Sequence, residues 1–414
     1  MRVLIISIYY KPEPVPKPHE LAEGLAKRGH QVTVVTGFPN YPTGRFYPGH
    51  ALRLWRTDTI NNVRVIRVPI YPDHSGHALL RAAHYLTFFL SALVCGLIVG
   101  HSADIVYVWG NPPTSGLAGW FISRVMRVPF VYGVHDLWPD LAIGSGMVRS
   151  SVFGALIGRL ERFVLKRADL IIAISQGFKR SIVGKGIPEE RIQVIPHWAD
   201  GELYRPVPGN GRLREELGWV GRFVVLYAGN VGRLQGLEQL IEAAGLLDRT
   251  MPTVRIVIVG DGVERGRLRR IVSERQYGNV QFIEPKPPQT IVEYSGAADA
   301  LYVGLKRTSL APLSVPSKVQ SYLACGRPVV CSVPGETFDL VEESQVGINS
   351  VSDTPAGIAE AVRRMATIPE DERAAMGHRA RDLFLREFAM TLLLERHDNL
   401  MQSLLEKSVT ASMR

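Results

Sequence analysis

Two stretches in the second half of the chain bring together residue types that bind phosphate. The first is Leu226-Tyr-Ala-Gly-Asn-Val-Gly-Arg-Leu-Gln-Gly-Leu237, an apolar run, then glycines at 229, 232 and 236, then a helical pattern. Glycines let backbone amides approach an anion closely, and a helix start adds partial positive charge there. Arg233 offers a guanidinium to a diphosphate oxygen. The second is Val315-Pro-Ser-Lys-Val-Gln-Ser-Tyr-Leu-Ala-Cys-Gly-Arg-Pro-Val-Val330. Pro316 reads as the first residue of a helix, which leaves the amides of Ser317 and Lys318 open beside the lysine charge, and Gly326 and Pro328 close that helix. In the first half, Tyr132-Gly-Val-His-Asp-Leu-Trp-Pro139 follows a strand pattern and sets His135 beside Asp136, a pairing suited to catalysis or substrate positioning. Each stretch also has a structural reading: a tight turn, a surface helix with one lysine, a hydrogen-bonded histidine.

These residues must be held at the ends of strands, and the rest of the chain predicts such a framework. It begins with the β-rich run at residues 2–7, a helix from Glu20 to Arg28 stopped by Gly29, and a second buried strand at 31–36. Strand, helix, strand with near-continuous apolar strands is the signature of a parallel sheet covered on both faces. The alternation continues with strands near 63–68, 104–109, 129–134, 169–174 and 193–195. After an irregular stretch at 199–211 it resumes at 223–227, 255–259, 280–283, 300–303 and 328–331, and from about Thr354 the pattern is helical. The expectation is an α/β protein of two doubly wound units, 1–203 and 204–388, with a last helix at about 389–414 packing back on the first unit. Ligands of such sheets are expected in a cleft at the carboxyl ends of the strands.

Composition narrows the classes. With 414 residues, 46% hydrophobic and 21% charged, the chain is long enough for two full cores and is neither disordered, a coiled coil nor a polytopic membrane protein. Three scattered cysteines exclude a disulfide scaffold or zinc cluster and suggest a reducing compartment, and no leader pattern precedes the first strand. The net charge of +9 lies wholly in residues 1–205, which hold 23 basic and 14 acidic residues. Such asymmetry implies an anionic partner: nucleic acid, a membrane surface or a phosphorylated substrate. Residues 82–103 carry no charge and approach the length of a membrane span, but a sheet strand follows at once, which favours a buried or interfacial helix. Residues 152–167 combine an apolar helical stripe with Arg159, Arg162, Lys166 and Arg167, which suits either an anionic lipid surface or a core helix with a solvated face.

The order of motifs resembles one family along nearly the whole chain. They are Tyr9-Tyr-Lys-Pro-Glu13, Arg28-Gly-His-Gln-Val-Thr-Val-Val-Thr36, Pro39-Asn-Tyr-Pro42, His135-Asp-Leu-Trp-Pro139 and Ala168-Asp-Leu-Ile-Ile-Ala-Ile-Ser175. Gly229-Asn-Val-Gly232, Gly260-Asp-Gly262, Pro316-Ser-Lys318 and Gly326-Arg-Pro-Val329 follow. Together they resemble the retaining, metal-independent glycosyltransferases of family 4, which have the GT-B fold, in the branch that serves capsule, O-antigen and colanic-acid synthesis. The resemblance implies transfer of a sugar from a nucleoside-diphosphate sugar, with no metal or other cofactor, to an acceptor expected to be a polyprenyl-diphosphate-linked saccharide. By the same resemblance the second unit takes the donor through Gly229, Asn230, Gly232, Arg233, Gln235, Glu284, Ser317, Lys318 and Ser321. The first takes the acceptor near Pro14 and Lys17, with His135 and Asp136 beside the reacting sugar. The implied location is the cytoplasmic face of the membrane, with an anionic lipid surface and no nucleic acid among the partners.

The chain departs from the family pattern at several of these positions. Ser321 and Leu313 stand where most members carry glutamate, and Asn230 and Gln235 replace the arginine and lysine of the first phosphate loop, leaving Arg233 as the substitute. Pro14-Val-Pro-Lys17 replaces a Gly-Gly acceptor loop. A nucleotide-sugar epimerase on the same fold and a non-catalytic nucleotide-sugar binder are the alternatives.

Overall fold

The computed structural model describes residues 1–51, 53–75, 77–110, 112–140, 151–209 and 211–412. Position 210 of the expected linker and 413–414 of the expected last helix lie outside them. The chain forms two compact units, Met1–Pro196 with Leu393–Arg414, and His197–Leu392. The expected division stood at 203/204, with the returning helix from 389.

The first unit is built on an eight-stranded sheet. Its strands are β1 (Arg2–Ile6), β2 (Gln31–Gly37), β3 (Arg56–Ile60), β4 (Val63–Val68), β5 (Ile105–Trp109), β6 (Phe130–Val134), β7 (Leu170–Ala173) and β8 (Ile192–Val194). They lie in the order β3-β4-β2-β1-β5-β6-β7-β8, and all pairings are parallel except that of β3 with β4. Strands β5, β6 and β7 are buried at every residue, as a sheet covered on both faces requires. Sequence patterning missed β3. It is a polar edge strand turning into β4 through Asn61 and Asn62, both at positive φ, and that Asn-Asn turn was its only local signal.

Among the described residues the helices flanking this sheet include α1 (Pro16–Lys27), α2 (Ala78–Val99), α3 (Pro113–Met126), α4 (Ser151–Arg167) and α5 (Gln176–Gly184). Helix α1 begins at Pro16 rather than Glu20, because Pro16 and Pro18 fall in the first turn, where a missing N–H costs nothing. Helix α2 packs against α3, β2 and β4 and hands the chain to β5. It approaches α3 closely at Gly96, where a Cβ would stand 2.3 Å from Ile122. The closing helix, Met390–Ser412, docks on this unit too: Leu394 seats against Gly24, and Asp398 accepts from His30 Nε2 at 2.7 Å.

The second unit carries β9 (Phe223–Ala228), β10 (Val254–Val259), β11 (Val280–Ile283), β12 (Ala300–Gly304), β13 (Val329–Ser332) and β14 (Gly347–Asn349). The order is β11-β10-β9-β12-β13-β14, parallel throughout. This is the doubly wound dinucleotide-fold order, which reverses direction between β9 and β12. Its helices are α6 (Gly211–Glu216), α7 (Leu237–Thr250), α8 (Arg265–Glu274), α9 (Pro288–Ala297), α10 (Ser317–Ala324), α11 (Glu336–Glu343), α12 (Pro355–Thr367) and α13 (Glu370–Glu387). Strand alternation sends Val224 and Leu226 into one core, with Leu323 and Phe384, and Val225 and Tyr227 into the other, with Leu240 and Val362. All three cysteines are buried thiols.

Candidate active site

In the second unit, β9 ends at Ala228 and the chain turns through Gly229 before α7 begins at Leu237. The loop is pinned from below: Val231 N donates to Asp261 O at 2.8 Å and Tyr227 Oη to Asn230 O at 2.6 Å. Gly229 has φ +135°, and a Cβ there would come 2.6 Å from Lys318 Cε. The glycine therefore makes room for the lysine stem. Lys318 belongs to the first turn of α10, whose N-cap is Pro316; the expectation placed Pro316 one position later, as the first helical residue. The Lys318 Nζ lies 5.2 Å from the centroid of the Tyr227 ring, a cation–π distance. No carboxylate among the described residues forms an ion pair with it, and burial pulls its pKa down to about 8. A cation so enclosed is stabilised by an anion of fitting geometry.

A cavity of about 210 Å³ opens at this point, lined by Gly229, Ser317, Lys318 and Ser321 from the sequence reading. Tyr322, Ser295 and Tyr204 join them, and sequence reasoning missed all three. The Ala228 amide donates to Tyr322 Oη at 3.0 Å, which fixes the ring behind the end of β9. The signal for Tyr322 was its place on the same helix as Lys318; Ser295 and Tyr204 come from distant segments. Ser321 Oγ turns back to Ser317 O at 3.5 Å.

The other predicted donor residues are not among that lining. Asn230 and Gln235 converge on Gly232, where a Cβ would stand 2.8 Å from both side chains. The Arg233 side chain is 81% exposed and lies 3.5 Å from Glu264. Glu284, just past β11, is exposed and bound to Arg265 at 2.9 Å, which keeps its carboxyl below the usual range.

In the first unit, His135 follows β6 and stacks on Trp109 at the end of β5, with ring centroids 3.4 Å apart and planes 9° from parallel. Burial pushes the Asp136 carboxyl up to about 7. The loop beyond is anchored at Trp138, whose amide donates to Glu161 Oε1 at 3.0 Å and whose carbonyl accepts from Lys185 at 3.1 Å, while Lys185 also pairs with Glu161. Of the acceptor candidates, Pro14 is exposed and Lys17 pairs with Glu20 at 2.7 Å. The residue that organises this loop is Glu13, the last of the Tyr9–Glu13 motif, whose role the sequence does not reveal. Its carboxyl accepts from the amides of Tyr10, Asn40 and Tyr41 at 3.1, 2.9 and 2.9 Å, tying the loop after β1 to the loop after β2. Burial raises it to about 7 against the pull of those amides. Among the described residues no group of three His, Cys, Asp or Glu could hold a metal ion.

Comparison with known proteins divides the chain in the same way. Residues 16–198 match the family described as glycosyl transferase 4-like domain, and residues 210–383 match glycosyl transferases group 1. The chain is 27% identical over 374 residues to WcaI of Escherichia coli (strain K12), named for glycosyl transfer in colanic acid biosynthesis; the match covers 87% of this chain and 88% of that one. It is 29% identical over 409 residues to the D-inositol 3-phosphate glycosyltransferase of Corynebacterium jeikeium (strain K411), covering 92% and 91% of the two. HepE of Anabaena, crystallised with UDP and glucose, has a similar fold, with a TM-score of 0.72 at 20% identity over 97% of this chain and 100% of that one.

Proposed function

The chain belongs to the family-4 glycosyltransferases of the GT-B fold, and on that premise we propose that it transfers a sugar, with retention of configuration, from a nucleoside-diphosphate sugar to a polyprenyl-diphosphate-linked saccharide. The observation that carries the donor half of this reading is the enclosed cation of Lys318, laid across Gly229 and over Tyr227 at the start of α10. As the bond to the anomeric carbon breaks, negative charge gathers on the departing diphosphate. A fixed cation and the amides of a helix start stabilise that charge most where water is excluded, so protein groups supply what a metal would otherwise supply. The UDP complex of HepE supports a nucleoside diphosphate as the leaving group. His135, held flat by Trp109, serves as the polar contact of the reacting sugar, and Glu13 sets the loop that receives the acceptor.

The acceptor half rests on the surface of the first unit. Leu86, Leu90, Val94 and Ile98 recur every fourth residue along α2 and are exposed, as are Phe121 and Val125 on α3 and Val152, Phe153 and Leu156 on α4. Arg124, Arg127, Arg159, Arg162, Lys166 and Arg167 on and beside these helices are exposed too. Aliphatic side chains with a basic fringe suit the interface of an anionic bilayer, with the enzyme lying on its cytoplasmic face. This supports an acceptor presented by the membrane, and the similarity to WcaI supports a place in the synthesis of cell-surface polysaccharide.

The test is incubation of the purified protein with a panel of UDP- and GDP-sugars and a polyprenyl-diphosphate saccharide, with products read by mass spectrometry. Growth of the glycolipid by one sugar is expected. Folded protein that yields no glycolipid from any donor contradicts the reading.

A further inference from the structure

We propose that the first unit contains a slot for the isoprenoid chain of its acceptor, a cavity of about 240 Å³ enclosed by α2, the start of α3 and α4. This rests on the lipid-linked acceptor proposed above and goes beyond it by assigning the site. The walls are apolar side chains from three helices, among them Ala82, Leu86, Leu156 and Leu160, closed at the back by Tyr85 and Trp138. The last two rings meet edge to face with centroids 6.2 Å apart.

Three observations point to a lipid chain as the occupant. First, the cavity continues into the exposed aliphatic surface: Leu86 is the first residue of the α2 stripe as well as part of the lining, and Phe153 and Leu156 are likewise both lining and exposed. A chain can therefore leave the bilayer interface and enter the slot without crossing a polar surface. Second, the helix that supplies Leu156 and Leu160 to the wall carries charge complementary to anionic lipid, with Arg159, Arg162, Lys166 and Arg167 exposed along it. Third, the back wall is Trp138, which belongs to the same short loop as His135. A chain seated against Trp138 carries its diphosphate-linked saccharide to the strand ends where His135 stands.

Among the described residues the cation at the mouth is not a free headgroup clamp. Arg81 is committed there: its guanidinium donates to the carbonyls of Asp73 and Ser75 at 3.3 Å each and lies 3.8 Å from the Asp73 carboxylate. Recognition therefore falls on the hydrocarbon. A pocket smaller than the several hundred Å³ of a typical drug-sized site suits the first units of a chain rather than a whole lipid.

The experiment uses the full-length protein, with farnesyl diphosphate, dodecyl diphosphate and inorganic diphosphate as soluble probes and UDP as the control. Ala82→Phe fills the slot, and Leu156→Asp, at a half-exposed position where folding is not at stake, makes its wall polar. Wild-type protein is expected to bind farnesyl diphosphate at least tenfold more tightly than either of the other two diphosphates. Each variant is expected to lose at least tenfold of that affinity while UDP affinity stays unchanged. Farnesyl binding that neither variant alters overturns the proposal. Dodecyl diphosphate binding as tightly as farnesyl overturns the isoprenoid assignment and points to phospholipid acyl chains. Failure of the slot leaves glycolipid synthesis intact in Ala82→Phe, which does not touch the outer face, whereas failure of the lipid-acceptor reading leaves even the wild type without glycolipid synthesis, so the two are separable.

Discussion

Lys318 is the residue on which donor chemistry converges, and its environment makes it titrate within reach of experiment. Burial lowers its pKa from the ordinary 10.5 to about 8. Between those values the folded chain has given up a proton at this site that the unfolded chain still holds. The contribution of Lys318, read as ligand-free wild type against Lys318→Met, therefore rises with pH through that window, while the buried thiols act in the opposite sense. Affinity for a nucleoside diphosphate has the opposite sign and falls above about pH 8 as the cation is lost; parallel melting and binding series read the two slopes, and slopes of the same sign refute the assignment. Gly229→Val places a side chain where the lysine stem lies. It is expected to weaken UDP binding by about tenfold or more, by crowding the stem and by forcing a β-branched residue to φ +135°, and to be less than additive with Lys318→Met because part of its effect runs through the lysine contact. That coupling was not legible in the sequence. Each phosphate-binding stretch could be read locally, from its glycines and its helix start, but Gly229 and Lys318 meet through the pairing of β9 with β12 and the docking of Tyr322 on Ala228. Arg233 shows the converse: a cation in the right motif, aimed at Glu264 and solvent.

Helix α2 shows how one element can be apolar on two faces for two reasons. His84, Phe88, Ala92 and Gly96 face the interior of their unit, while Leu86, Leu90, Val94 and Ile98 face outward. Composition alone passes this helix as a membrane span, and with 28% of its most apolar window buried most of that window is uncovered, but the helix lies against β2, β4 and α3. The expectation of a buried or interfacial helix came from the strand that follows it at once, a constraint visible in sequence. Leu90→Glu with Val94→Glu disturbs only the outer face. Sedimentation with vesicles of anionic phospholipid is expected to show several-fold weaker binding, with UDP affinity unchanged; undiminished vesicle binding assigns that face some other role. Edge strands were the least legible elements. β3 lacks an apolar run and β14 is only three residues long, so neither has a periodic pattern of its own.

At the scale of the whole chain, the last helix leaves the second unit and completes the first. His397 on that helix is buried near Tyr107 and bonded to Leu393 O at 2.8 Å, and burial lowers its pKa to about 4, as it does for His84. Unfolding lets both take protons at their ordinary value of 6.5, so these two histidines contribute a stability slope that falls as pH drops from 6.5 toward 4, opposed by Glu13 and Asp136, whose raised carboxyls hold protons in the folded state over the same range. Replacing His397 with Leu flattens that slope in acid-unfolding curves; an unchanged slope places the acid sensitivity elsewhere. The two-unit plan and the concentration of positive charge in the first half were legible because strand periodicity and charge are local quantities. The aromatic stack under His135, the Glu13 tie between two loops and the apolar slot were not, since each joins segments far apart in the chain. The central claim is that an enclosed lysine makes the second unit a seat for a nucleoside diphosphate. Calorimetric titration of the wild type and Lys318→Met with UDP and GDP tests it most directly. The account predicts saturable heat with at least one nucleotide and at least tenfold weaker binding by the variant, in line with loss of about 1.5–3 kcal/mol from a charge-assisted contact. No heat from folded wild-type protein, or equal affinity in the two proteins, contradicts it.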